Sequence, residues 1–133
     1  MQKVDINWQF NRLNVLSKEY RLKKSSAFTA TYKVKNSFYL NGVAVFVGLK
    51  KKNEYEKTRV GFVVSKKTHK RAVKRNKLKR LMRESYRILQ KENQLKNAEI
   101  YMSLIFVGHD KALDNSFVEI KNTMERLIEQ IND

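Results

Sequence analysis

The chain has 133 residues, a length that favours one domain with a hydrophobic core of its own. Its 29 lysines and arginines exceed its 13 aspartates and glutamates, which gives a formal net charge of +16 at pH 7. Such a charge is typical of nucleic-acid-binding proteins. Without cysteine the chain forms no disulfide and no thiolate zinc site. It has no apolar run typical of a signal peptide or a membrane span, so we expect a cytoplasmic protein without a membrane partner.

The first predicted element is a short helix. Ser25 or Ser26 is expected to cap its N-terminus, and the helix should end near Lys35. Phe28 and Tyr32 are four residues apart, so they lie on one face of this helix.

Two extended segments are expected at residues 37–40 and 43–50, on either side of the turn signal Asn41-Gly42. In the second segment valines alternate with alanine, phenylalanine and glycine, so both of its faces are buried or one is a binding surface. A charged connection, residues 51–57, leads into a further strand at residues 59–65, which is rich in valine. We predict that these strands form a hairpin.

The run from Lys66 to Arg87 contains eleven lysines and arginines and one acid, Glu84. Its apolar spacing predicts a helix from about Ala72 to Glu92. One arc of this helix, at about 100° per residue, carries Arg75, Asn76, Lys79, Arg80, Arg83 and Arg87. The opposite arc carries Leu78, Leu81, Met82, Ser85, Ile88 and Leu89. One face can therefore pack on a core while the other presents cations at fixed positions, as contacts with phosphates require.

Two elements complete the chain. Residues 99–107 form a nearly continuous apolar run, which predicts a central strand covered on both faces. The last segment has helical spacing, and Ser116 with Glu119 is expected to form a capping box at its start. Its apolar positions are Phe117, Ile120, Met124, Leu127, Ile128 and Ile131.

The order of elements is therefore helix, three strands, basic helix, strand and helix. This order predicts an α+β fold, a two-layer sandwich in which helices pack on a small sheet. We assign residues 21–133 to this single domain and interpret residues 1–20 as an N-terminal appendage of uncertain order, because they have no clear period.

Two motifs resemble a known family. The run Val60-Gly61-Phe62-Val63-Val64-Ser65-Lys66-Lys67, followed after four residues by Ala72-Val73-Lys74-Arg75-Asn76-Lys77-Leu78-Lys79-Arg80-Leu81-Met82-Arg83-Glu84, resembles the signature of the bacterial ribonuclease P protein component. Arg21-Leu22-Lys23-Lys24 with Phe28 and Tyr32 is similar to the opening motif of that family. The resemblance extends from about Tyr20 to the C-terminus.

The resemblance implies an α-β-β-β-α-β-α sandwich with a left-handed βαβ crossover. It also implies a protein subunit that is not itself the catalyst. In the family, an RNA subunit that requires Mg²⁺ removes the 5′ leader of precursor tRNA, and the protein binds both this RNA and the leader. We therefore expect two RNA partners, the catalytic RNA and precursor tRNA, and a monomeric protein in a one-to-one holoenzyme.

The resemblance also implies which residues contact each RNA. Those expected to bind the catalytic RNA are Lys66, Lys67, Arg71, Arg75, Asn76, Lys77, Lys79, Arg80 and Arg83. A cleft lined by Phe28, Tyr32 and Phe46 is expected to bind the leader, because stacking of bases on aromatic rings tolerates many sequences. The family usually reads Arg-Asn-Arg where this chain has Arg75-Asn76-Lys77, and lysine lacks the planar fork of arginine.

The residues alone leave two other classes open, a ribosomal or general RNA-binding protein and a basic amphipathic helix for anionic membranes. The apolar arc of the basic helix is more typical of a core than of a membrane-binding face. A two-metal nuclease needs converging carboxylates, and the acids available are Glu54, Glu56, Glu84, Asp110 and Asp114. These do not form a convincing cluster: Glu84 is expected to contact arginines and Asp114 to cap a helix. We therefore expect no catalytic, cofactor-binding or metal-binding residue in the protein itself.

Overall fold

The computed structural model describes residues 16–68 and 70–132. The order of elements is helix, three strands, helix, strand and helix, as predicted. The helices are α1 Ser25–Lys33, α2 Ala72–Lys91 and α3 Phe117–Asn132. The strands are β1 Asn36–Leu40, β2 Val43–Val47, β3 Arg59–Val64 and β4 Ser103–Gly108. Short stretches of 3-10 helix lie at Lys18–Tyr20, Lys96–Ile100 and Asp110–Ala112.

The four strands form one mixed sheet in the order β1-β2-β4-β3. The hairpin around Asn41-Gly42 is confirmed, because β1 and β2 are antiparallel neighbours. The prediction that β3 joins that hairpin is wrong, since β4 lies between β2 and β3 and pairs with both. β4 is therefore central, as its apolar run indicates. β3 and β4 are parallel, so β3, α2 and β4 form the βαβ unit in which the family resemblance places its crossover.

Helices cover both faces of the sheet. Alternating residues of β2, including Val43 and Val45, face the main core together with apolar residues of α2 and α3. Ala44 and Phe46 point to the other face, where α1 packs. Within the described residues, no helix is long and apolar enough to cross a membrane.

The helix α2 packs closely against the sheet. A Cβ atom on Gly108 of β4 would lie 2.6 Å from Leu78 Cδ2, so the missing side chain allows this approach. Tyr86 is fully buried, and its ring lies about 6 Å from those of Phe62 and Phe106. The predicted apolar arc omits Tyr86 and includes Ile88, which is only half-buried. The buried face of α2 is therefore rotated slightly from the prediction.

Several predicted boundaries need correction. Leu16, assigned to the appendage, is buried in the core, so the domain begins earlier than residue 21, and residues 1–15 lie outside the described residues. Neither Ser25 nor Ser26 caps α1, whose N-cap is Lys24 without a side-chain cap bond. The strand predicted from residue 99 begins at Ser103, because a 3-10 helix precedes it.

The capping box at α3 is confirmed. The backbone N–H of Glu119 donates to Ser116 Oγ at 3.2 Å, and the backbone N–H of Ser116 donates to Glu119 Oε1 at 2.9 Å. These reciprocal bonds satisfy two donors at the start of the helix. Asp114, which we expected to cap a helix, instead accepts a hydrogen bond from Lys74 Nζ at 3.1 Å.

Candidate nucleic-acid interface

The outward arc of α2 carries a shallow depression of about 600 Å³. It is lined by Val73, Asn76, Lys77, Lys79, Arg80 and Arg83. Five of the nine residues expected to bind the catalytic RNA therefore share one surface. The inward arc of the same helix is buried, so the backbone below these side chains is held in place by the core. We call this surface the basic face.

The other four predicted residues lie at the N-terminal side of the basic face. Lys66 and Lys67 occupy an exposed turn, in which the backbone N–H of Lys67 donates to Ser65 Oγ at 3.1 Å. Arg71 is the exposed N-cap of α2. Arg75 is half-buried, and its Nη1 donates to the Lys70 carbonyl at 2.8 Å. Part of the Arg75 guanidinium therefore braces the segment that leads into the helix.

Two acids lie close to these cations. Glu84 Oε1 is 4.0 Å from Arg80 Nε, as the prediction for Glu84 required, and Asp114 pairs with Lys74. All four side chains keep substantial solvent exposure, and ion pairs of this kind contribute little to stability. The local charge of the basic face thus stays strongly positive and available to an anionic partner.

Three aromatic residues, predicted as leader-binding, lie on the opposite face of the sheet. The rings of Tyr32 and Phe46 make an edge contact, with centroids 4.9 Å apart. Phe28 lies over Gly61 of β3, where a Cβ would come within 2.6 Å of Phe28 Cζ. Partial burial raises the pKa of the Tyr32 phenol above its usual value, so the ring is neutral at physiological pH.

The position of α1 leaves one end of this face open. Phe46 and Gly61 contact the aromatic residues of α1. Both pair with Ile105 of β4, so they lie in one row of residues that runs across the strands. The adjacent row consists of Tyr39, Ala44, Val107 and Val63. In this second row Val63 and Val107 are half-buried, and Tyr39 is 57% exposed. We call the open row, together with the three aromatic side chains, the aromatic cleft.

The sequence patterns did not predict Tyr39, which lies in the cleft, or His109, which borders it. Tyr39 leans towards His109, with ring centroids 5.8 Å apart. The alternation along β1 puts Tyr39 on the same face as Ser37, but only the pairing with β2 shows that this face is the one with the aromatic residues. His109 follows β4 directly, so its position depends on the central placement of that strand.

The opposite flank of α1 is attached to the sheet by hydroxyl groups. Thr31 Oγ1 and Ser103 Oγ are 2.6 Å apart, and Thr31 Oγ1 also donates to the Ala27 carbonyl at 2.8 Å. Gly48 leaves room for Ser103, because a Cβ there would collide with Ser103 Oγ. The helix is thus oriented so that its aromatic flank borders the open row.

Fold and surfaces together define an RNA-binding α+β domain, in which a helix presents cations and a sheet face presents aromatic rings. The family model for ribonuclease P matches residues 16–132, and the chain belongs to this family. It is similar to the ribonuclease P protein component of Clostridium kluyveri, with 36% identity over 84% of this chain and 93% of the relative. The corresponding protein of Alkaliphilus oremlandii is 34% identical over 84% of this chain and 90% of its own.

Solved structures agree with this assignment. The Staphylococcus aureus RNase P protein aligns with a TM-score of 0.69 and 28% identity, over 84% of this chain and 94% of that chain. A mutant of that protein with defective mRNA degradation activity aligns with a TM-score of 0.71 and 29% identity, over 86% and 90%. The Thermotoga maritima RNase P protein shares the fold at 22% identity, with a TM-score of 0.66 over 83% and 96%. The chain is therefore a protein component of an RNA-processing ribonuclease.

In residues 16–68 and 70–132, no three His, Cys, Asp or Glu side chains are grouped so that they could hold a metal ion. The acids near the basic face are engaged with Lys74 and Arg80.

Proposed function

We propose that the protein binds the catalytic RNA of ribonuclease P with its basic face and the 5′ leader of precursor tRNA in its aromatic cleft. In this proposal the RNA subunit and its Mg²⁺ ions cleave the phosphodiester that joins the leader to the tRNA. The protein itself contributes affinity and orientation. One protein monomer acts with one catalytic RNA, in the cytoplasm.

The observation that carries the proposal is the depression on α2. Four of its lining side chains, Lys77, Lys79, Arg80 and Arg83, are cationic, and Asn76 adds an amide that can donate and accept hydrogen bonds. Because the buried arc fixes the helix, the backbone positions that carry these groups keep their spacing in the free protein. A folded RNA offers phosphates at fixed positions, so the helix needs no rearrangement to bring its cations to them.

The aromatic cleft supports the second half of the proposal. Tyr32 keeps 37% of its surface exposed, and Tyr39 keeps more than half. Aromatic rings that are held in place yet accessible can stack on unpaired bases, and each stacked base contributes roughly 1 to 3 kcal/mol. Since every base has a π-face, such a cleft would accept leaders of many sequences.

Reconstituted cleavage tests the proposal. A precursor tRNA with a 5′ leader is incubated at low Mg²⁺ with a bacterial ribonuclease P RNA, with the protein, or with both. We expect fast cleavage at the mature 5′ end only when RNA and protein are both present. If the RNA alone cleaved as fast as the RNA with the protein, the result would favour a general RNA-binding protein of the ribosomal type.

The protein-alone reaction is informative because a related Staphylococcus aureus protein has an mRNA degradation activity that a mutation impairs. Cleavage of precursor tRNA by this protein without the RNA subunit would contradict the assignment of catalysis to RNA.

A variant links the assay to the basic face. Replacing Arg75 and Asn76 together with alanine is expected to raise the Mg²⁺ concentration needed for cleavage, while circular dichroism and the unfolding midpoint change little. Neither side chain belongs to the buried arc of α2, so the variant removes no core contact, although it does remove the bond of Arg75 to the Lys70 carbonyl. An unchanged Mg²⁺ dependence would remove these two residues from the interface.

A further inference from the structure

A polar pocket of about 350 Å³ lies at the end of the sheet formed by the β1–β2 turn. Its lining includes Asn41, Lys111, Asn115, Glu119, Asn122 and Arg126. These residues belong to three segments: the turn, the region between β4 and α3, and α3 itself. The pocket therefore exists only in the folded protein, and it shares no lining residue with the depression on α2.

The three segments are held together tightly. Gly42 has a φ of +88°, and a Cβ there would lie 2.8 Å from the backbone nitrogen of Ala112. The backbone N–H of His109 donates to the Gly42 carbonyl at 2.8 Å. The capping box of Ser116 and Glu119 fixes the first turn of α3. The pocket is thus pre-formed, which lowers the entropy cost of binding a ligand.

The lining groups suit an anion. Lys111 and Arg126 supply two cations, and neither has an ion-pair partner among residues 16–68 and 70–132. Glu119, an acid in the lining, is partly engaged, because one of its oxygens accepts the Ser116 N–H. Two free cations beside amide donors can bind a phosphate group through charge-assisted hydrogen bonds.

The pocket lies next to both RNA-binding surfaces proposed above. The backbone N–H of Gly42 donates to the hydroxyl of Tyr39 at 3.2 Å, so the turn is attached to the open end of the aromatic cleft. On the other side, Asn115 follows Asp114, whose carboxylate binds Lys74 at the start of α2. An RNA strand that leaves either surface at this end of the sheet would meet the pocket.

We propose that this pocket binds a backbone phosphate of RNA and is a third RNA contact of the protein. The inference rests on the proposed function. The phosphate belongs either to the leader beyond the aromatic cleft or to the catalytic RNA, and both sources present the same chemistry.

The test compares two double variants of equal charge. Lys111→Gln with Arg126→Gln removes the cations of the pocket, and both side chains are exposed, so the fold is preserved. Lys52→Gln with Lys96→Gln removes two exposed lysines that lie outside α2 and outside the pocket. Each protein is titrated with the catalytic RNA alone, and each holoenzyme with precursor tRNA carrying a long or a very short leader.

For the pocket variant we expect binding to one of these RNAs to weaken roughly 10-fold more than for the control variant. The slope of log K against log salt should fall by about 0.7 for one lost phosphate. If the pocket variant loses affinity for the catalytic RNA, the phosphate belongs to that RNA. If it loses affinity only for precursor tRNA with the long leader, the phosphate belongs to the leader.

Two outcomes separate the inference from the proposed function. Equal affinities of pocket and control variants in every titration would overturn the phosphate pocket while leaving the proposed function intact. Failure of the unmodified protein to bind the catalytic RNA would contradict the proposed function itself.

Discussion

The basic face and the aromatic cleft each depend on one helix, and these two helices differ greatly in how many side chains they bury in the core. The helix α2 has 20 residues and buries six side chains, among them Leu78 and Tyr86, so its charges stand on a fixed support. The helix α1 has nine residues, of which only Thr31 is buried. It is attached through that threonine and through aromatic rings that stay partly exposed.

The two surfaces also differ in the kind of interaction that they offer to RNA. Contacts between cations and phosphates are long-ranged, and salt weakens them strongly because counterions compete. Stacking of bases on aromatic rings is short-ranged and depends on contact area. The two surfaces should therefore be separable by salt dependence and by substrate, and single changes can disrupt one without the other.

The largest effect is expected from the basic face. Replacing both Arg80 and Arg83 with glutamine should weaken binding of the catalytic RNA roughly 100-fold, because each loses a charge-assisted hydrogen bond. The salt slope should decrease by about one for each lost phosphate contact. Binding titrations at several salt concentrations would measure both, with Lys52→Gln/Lys96→Gln as the control of equal charge. An unchanged salt slope would show that these arginines do not contact phosphates.

A smaller and qualitatively different effect is expected from the cleft. Tyr32→Ala should weaken binding of precursor tRNA to the holoenzyme roughly 10-fold, the contribution of one stacked base. Mature tRNA, which has no leader, should bind as before, and the salt slope should not change. Tyr55→Ala is a suitable control, because Tyr55 is 86% exposed in the β2–β3 connection. Equal losses for precursor and mature tRNA would remove Tyr32 from the leader site.

Substitution of two glycines, one below each surface, tests the two surfaces through packing without changing any charge. Gly61→Ala would push against Phe28 in the cleft, whereas Gly108→Ala would push against Leu78 below the basic face. Both should lower the free energy of unfolding by about 1 to 3 kcal/mol. Only Gly61→Ala should also weaken binding of precursor tRNA to the holoenzyme, by a few-fold, while binding of mature tRNA stays the same. If both variants lowered leader affinity equally, Phe28 would be only a core residue.

The smallest effect concerns the support of the basic face and leaves RNA binding at neutral pH unchanged. Burial, followed by the charges of Glu99 and Tyr20, raises the pKa of Tyr86 above its usual value. The unfolded phenol ionises near pH 10, so the folded state holds its proton longer and the free energy of unfolding falls as pH rises above 10. This group contributes up to about 1.4 kcal/mol per pH unit.

Urea unfolding between pH 8 and 11 measures this dependence. Tyr86→Phe keeps the ring and should make the alkaline decrease less steep, whereas Tyr55→Phe, at an exposed site, should leave it unchanged. The same alkaline slope in Tyr86→Phe as in the unmodified protein would contradict the assignment to this phenol.

The basic face was largely predictable because it is a local feature. Helical periodicity places side chains on arcs without any knowledge of the fold, and five of the nine expected RNA-binding residues do share one depression. The errors lie at the edges of the arcs. Tyr86 was missed because its hydroxyl makes it ambiguous by polarity, and Arg75 lies near enough to the buried side to brace the Lys70 carbonyl.

The aromatic cleft was only half predictable. Phe28 and Tyr32 are neighbours on one helix, so local spacing puts them together. Their contact with Phe46 and Gly61 depends on where α1 crosses the sheet. Strand pairing alone brings Tyr39 into the cleft and His109 to its border, and no local pattern predicts such long-range pairs.

Local patterns in the chain thus specified the type and order of the helices and strands, the cationic arc, the capping box and the turn between β1 and β2. Each of these depends on residues within one or two helical turns or on adjacent strands. The insertion of β4 between β2 and β3, the open row of the sheet and the polar pocket beside the β1–β2 turn were set by packing. They join segments far apart in the chain, and the free energy that selects such pairings comes from burying the whole core rather than from any local preference.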